Sequence, residues 1–217
     1  MHLRLLAMMQ ESMAVQRWFC KVRKGDFMKK LMTFLLMMTM VLSLTACGGK
    51  KTETAKDDTE GKTAVQILED VWAVYEEDEM FAIAGGDYEN MVMDAPGTVN
   101  VSDGETLDGL FGFPASSAGL VDDGASMMHM MNQNTFTATV FHVTKAEDVK
   151  AVADAAKENI MNRQWMCGFP DDLVICSVGT NYVAIVFGAE EAVDSFEENL
   201  AKVFASTKTL YDEDLTF

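Results

Sequence analysis

The run Met127-Met128-His129-Met130-Met131 places four thioethers around one imidazole, and soft donors of that kind are the ligands that Cu(I) prefers. In an extended chain alternate residues share a face. Met127, His129 and Met131 therefore form one candidate ligand set, which His142 could join from a neighbouring strand. Methionine is also a common filler of irregular cores; the core reading leads for this run, and copper is the alternative. Nucleophilic catalysis needs a base beside a Ser or Cys. Downstream of Cys47 only His129 and His142 offer an imidazole, and no flanking motif ties Cys167 or Cys176 to His142. The acidic clusters Glu76-Glu77-Asp78-Glu79 and Asp122-Asp123 lack the alternating ligands and central glycine of a calcium loop. Gly-rich phosphate loops and paired zinc cysteines are missing as well. The sequence therefore points away from an enzyme, and no cofactor is expected.

Charge narrows the partners. The 217-residue chain carries −17, but residues 1–47 hold seven Lys or Arg against two Asp or Glu, so the remainder stands at −22. Between residues 63 and 144 there is no Lys or Arg. Such a surface repels nucleic acid, whose binding rests on basic side chains that neutralise phosphates. Cationic, neutral or metal-bridged partners suit it, although the charge also serves simply to keep a domain soluble.

The leader explains where the basic residues went. Lys29 and Lys30 precede an apolar segment, 31–44, broken only by Thr33, Thr39 and Ser43, the charged and apolar regions of an export signal. It falls short of the about 20 apolar residues of a spanning helix. Leu44-Thr45-Ala46-Cys47 resembles the lipobox of bacterial lipoproteins. That resemblance implies cleavage after Ala46, diacylglyceryl transfer to the Cys47 thiol, and acyl chains such as palmitate holding the protein on the outer face of the cell membrane. Two or more chains anchor stably where one is marginal. Met28-Lys29-Lys30 reads as a natural start, so residues 1–27 look like an over-long beginning, with an extended basic leader as the alternative.

Residues 48–62 contain no large apolar side chain and read as a flexible acidic tether. A single domain is expected over 63–217. Val65, Leu68, Val71, Trp72 and Tyr75 recur at helical spacing over 63–78. Residues 80–101, with Gly85-Gly86 and Pro96-Gly97, read as loop or irregular strand. Ser102-Asp103-Gly104-Glu105 has capping-box spacing and opens a short helix that Gly112 and Pro114 end. Strands are expected at 127–131 and 135–143, then a helix from the box Thr144-Lys145-Ala146-Glu147 to about 163. Strands at 173–178 and 182–187, a helix over 190–204 and a polar, acidic tail complete the chain. Cys176 falls in an apolar strand and reads as a buried free thiol, with pairing to Cys167 the alternative. The expected fold is α+β: a two-layer sandwich with a four-stranded, mainly antiparallel sheet in ββα-ββα order, helices on one face, and an N-terminal helix before it.

With the tether, Leu110-Phe111-Gly112 and the Gly179-Thr180-Asn181-Tyr182-Val183 hairpin, the chain is similar to small lipoproteins of Gram-positive anaerobes that carry a C-terminal domain of unknown function. The resemblance implies location and fold and supplies no activity. The function expected is a membrane-anchored, extracytoplasmic, non-enzymatic module of the cell envelope that binds a ligand or another envelope protein. The alternative is a copper-handling lipoprotein using Met127, His129, Met131 and His142.

Overall fold

The computed structural model describes residues 57–166 and 168–215. The lipobox with Ala46 and Cys47, and also Cys167, lie outside the described residues. In chain order come helix α1 (Ala64–Trp72) and three short strands, β1 (Ile83–Gly85), β2 (Val92–Met93) and β3 (Gly97–Thr98). Helix α2 (Gly104–Phe111) and a 3-10 segment (Ala115–Leu120) lead to the hairpin β4 (Val121–His129) and β5 (Phe136–Val143). Helix α3 (Val149–Met161), hairpin β6 (Asp172–Val178) and β7 (Tyr182–Gly188), helix α4 (Glu190–Val203) and strand β8 (Lys208–Asp214) follow.

The sheet has eight strands, not four, in the order β2-β1-β4-β5-β7-β6-β8, with β3 also pairing with β4. Every pairing is antiparallel. The four expected strands are its centre. Strands β1 to β3 have two or three residues each, too few to show a period of two, so their Gly- and Asp-rich segment reads as loop. β8 comes from the tail, whose charges look like solvent-bound coil but are what protects an edge strand from further pairing. β4 begins at Val121 and includes Asp122, Asp123 and Gly124, with a register shift between Val121 and Asp123.

Helices cover both faces, which overturns the expected two layers. The cause is topological. Strand β5 connects through α3 to β6, and β7 through α4 to β8, each crossing one intervening antiparallel strand and so joining two parallel ones. Both connections advance in the same direction across the sheet, yet β5 and β7 point oppositely. The right-handed preference of parallel crossovers therefore sends α3 and α4 to opposite faces. The core divides accordingly. On one side α1 and α4 bury Ile67, Leu68, Phe196 and Leu200 against Met127, Val140, Val174, Cys176 and Val186. On the other, α2 and α3 bury Phe111, Val152 and Ile160 against Met128, Phe141, Ile175, Val183 and Ile185. The central strand β7 is buried along its whole length, so its two faces cannot be told apart by alternation.

Local signals fare unevenly. Thr63 and Gln66 form a reciprocal capping box at the start of α1, but the helix stops at Trp72 rather than 78. The acids Glu76, Glu77, Asp78 and Glu79 would have lain at its C-terminal end, where the helix dipole repels anions. Asp103, not Ser102, caps α2 by accepting from Thr106 N. Thr144 caps nothing: its hydroxyl donates to Leu120 O, and a 3-10 turn (Ala146–Asp148) precedes α3.

Candidate functional site

Of the four residues of the expected copper set, His129 and Met131 line one concavity, while Met127 and His142 lie elsewhere. Met127 is fully buried in the core beneath α1. The His129 ring stacks on Phe81 with centroids 5.4 Å apart, and its Nδ1 accepts from the backbone N–H of Met131 at 3.2 Å and of Asn132 at 3.3 Å. His142 sits near the other end of the hairpin, where Asp123 is its cross-strand partner. Six residues of β4 separate that row from His129, roughly 20 Å at strand rise. Met131 is 79% exposed.

His142 belongs instead to an open cleft of ≈ 690 Å³ lined by Asp57, Lys62, Asp122, Asp123 and Tyr182 among others. Its Nδ1 lies 2.5 Å from Asp122 Oδ1, the geometry of an oriented imidazole. The neighbouring polar groups are already engaged in holding the entering chain. Asp57 accepts from Thr59 N and Thr180 N, the Tyr182 hydroxyl donates to Lys62 O, and Asp123 Oδ2 accepts from Ala64 N at the start of α1. Hydrogen bonds from Thr180 and Thr59 accordingly hold the Asp57 carboxyl below its ordinary range. The end of the expected tether, residues 57–62, is thus fastened to the sheet. Cys176 offers no nucleophile to this cleft: it is a buried free thiol, pushed up to about 12 chiefly by burial and then by the charge of Glu197. Among the described residues no three His, Cys, Asp or Glu side chains stand together as metal ligands.

A second concavity, of ≈ 250 Å³, is made by the short strands and the end of β4, and it is lined by Met91, Met93, Met128, Met130 and Met131. Its construction follows from register. Ala84 of β1 pairs with Met93 on one side and Met128 on the other. Residues paired across strands share a face, so two methionines flank one methyl group. Met130 extends the row pattern, since its N–H donates to Ala82 O at 2.9 Å. Gly85 permits the close approach: a Cβ there would lie 2.1 Å from Gly97 N and 2.5 Å from Ala95 O. The turn that delivers Met91 is organised by Asp87, only 3% exposed, which accepts from Asn100 N at 2.7 Å, Asn90 N at 2.9 Å and Glu89 N at 3.0 Å. Burial pushes the Asp87 carboxyl up, but hydrogen bonds from Asn100, Asn90 and Glu89 outweigh it, and the group ends below its ordinary value.

Sequence reasoning grouped His129 and Met131 with Met127 and His142, whereas the structure sets them beside Met91, Met93, Met128 and Met130. Met91 and Met93 were missed because their segment reads as loop or irregular strand, with no pairing register to follow. A signal did exist: Met91-x-Met93 and Met128-x-Met130 share a period of two, which places each pair on one face of an extended chain. No helix among the described residues is long and apolar enough to cross a membrane. No family model, no curated protein and no solved structure matches the chain, so the trough and the cleft carry the functional reading by their own chemistry.

Proposed function

We propose that this chain is a lipoprotein, held on the outer face of the cell membrane through acylated Cys47, whose domain is a non-enzymatic binding module of the envelope. The lipobox supports the anchor. The observation that carries the binding role is the methionine trough, where Met91, Met93, Met130 and Met131 are 56%, 53%, 42% and 79% exposed. Contiguous apolar side chains in water mark interaction sites, and methionine, being unbranched and polarizable, adapts to what it meets. An envelope protein or a small ligand is the partner class, and the net charge leaves nucleic acid outside it. Metal handling is the second reading, favoured by the thioether content of the same trough.

Cys47→Ser tests the anchor. The variant should accumulate as an unprocessed precursor without incorporation of labelled palmitate. Normally labelled, membrane-bound protein from that variant would sink the reading.

A further inference from the structure

The trough is unusual in what it lacks. Its neighbours in the core are Leu, Val, Ile and Phe, any of which would serve an apolar partner, yet five of its twelve lining residues are methionines. The space of ≈ 250 Å³ falls below the roughly 300–1,000 Å³ typical of organic ligands. Across the row Met93, Ala84 and Met128, two strand spacings put the outer Cα atoms roughly 9–10 Å apart. Two flexible methionine side chains can close that gap over a single methyl group. The His129 ring lines the trough as well, but its Nδ1 is engaged. The His129 Nδ1 already accepts two backbone N–H groups, which in a neutral ring leaves the proton on Nε2. Thioether sulfur is therefore the most abundant donor in the trough, and the Asp87 carboxylate beside it is already engaged by backbone N–H groups.

Hard cations take oxygen ligands, and zinc takes thiolate, imidazole or carboxylate. Thioethers select soft Cu(I). The surrounding field suits a cation: the segment 63–144 has no Lys or Arg, and the Asp87 carboxylate lines the trough with its charge fixed by backbone N–H groups. A charge held in a partly desolvated place attracts an ion more strongly than one in bulk water.

We propose that this trough is a thioether site for Cu(I), formed by sulfurs drawn from Met91, Met93, Met128 and Met130, with Met131 at its rim. The site rests on the reading of the trough as the binding surface and names its ligand. It differs from the set Met127, His129, Met131 and His142 because half of its ligands come from the β1 to β2 hairpin.

The test is anaerobic titration of the full chain with Cu(I) against a chromogenic chelator, after the accessible thiols have been alkylated with iodoacetamide. Wild type should withdraw one Cu(I), and X-ray absorption of that complex should show sulfur neighbours without nitrogen. Met91→Leu/Met93→Leu/Met130→Leu should abolish the withdrawal while keeping the fold, because Leu and Met are close in volume. Met80→Leu/Met166→Leu removes two exposed methionines that do not line the trough and should bind as wild type does. No uptake by wild type overturns the metal site. So does uptake that survives the triple change, or that is lost equally in the control pair. Each of these three outcomes leaves the lipoprotein reading standing, since that reading falls only if Cys47→Ser keeps its lipid label.

Discussion

The two edges of the sheet are finished in opposite ways. At one, β2 shows Val92 and Met93 to water, 41% and 53% exposed. At the other, β8 carries Lys208, Asp212, Glu213 and Asp214, and two lysines from α3 fold over it. Lys150 Nζ donates to Asp154 Oδ1 and to the Tyr211 hydroxyl, both at 2.6 Å, while Lys157 pairs with Glu213 and lies 4.4 Å from the Tyr211 ring centre. An unpaired edge invites another chain, and charge is one standard protection. β8, seven residues long, needs that protection; β2, two residues long, offers too little ladder to recruit a strand. An edge kept safe by shortness is free to carry apolar, chemically useful side chains. On the proposed reading, binding falls to the β2 edge, and the charged contacts protect β8.

The largest effect should come from breaking the apolar edge at its hinge. Gly85→Ala forces a methyl group into the backbone of Ala95, Pro96 and Gly97, with 2.1 Å to Gly97 N and 2.4 Å to Pro96 C. Backbone cannot give way as a flexible side chain does, so a loss of about 3 kcal/mol or more is expected, at the upper end of single substitutions. Thermal melting with Cu(I) uptake measures it, and an unchanged melting temperature with full uptake would mean that β1 and the 95–97 segment are not bound together as described.

The charged edge has one flaw, and correcting it should give the next largest effect. Asp172 pairs in register with Asp214 of β8 and is buried. Burial, offset in part by the Leu173 N–H and reinforced by the charges of Asp212, Asp194 and Glu190, pushes its carboxyl up to about 6. Between the ordinary value near 3.9 and about 6 the folded state binds more protons than the unfolded one, so stability falls as pH rises through that window. Asp172→Asn should stabilise the protein at pH 7 by about 1–2 kcal/mol, with the advantage fading as pH falls towards about 4. Denaturant melts at several pH values check this. An advantage that grew on acidification would show that the carboxylate is stabilised, not strained, where it sits.

How much of this was legible follows from which signals are local. Strand β5 and the helices α3 and α4 announce themselves through periodicity, and the hairpin β6/β7, with Cys176 in it, through two apolar runs around a short turn. The remaining features are long-range. Whether α3 and α4 share a face depends on strand order, since β7 inserts between β5 and β6, and no residue in either helix encodes that. The trough depends on Ala84 lying between Met93 and Met128, a coincidence of two registers across three strands. Met127 and Met128 are adjacent in sequence and enter different cores. Composition alone could point to methionine chemistry without choosing the face.

The smallest effect belongs to the ion pair that secures the charged edge. Lys157 and Glu213 side chains are 30% and 33% exposed, so water and salt screen much of their attraction, and Lys157→Ala should cost only about 0.5–1 kcal/mol. The salt dependence is the sharper reading. Removing Lys157 takes away both an attraction and one of the few positive charges on a strongly acidic domain. Added sodium chloride weakens the attraction that wild type would otherwise gain, and it relieves the extra repulsion in the variant. Both changes move the two proteins together, so the difference in stability should shrink steadily with ionic strength. A gap that persists at high salt would assign the contribution of Lys157 to the packing of its methylene stem on Tyr211, and the protection of β8 would then be steric rather than electrostatic.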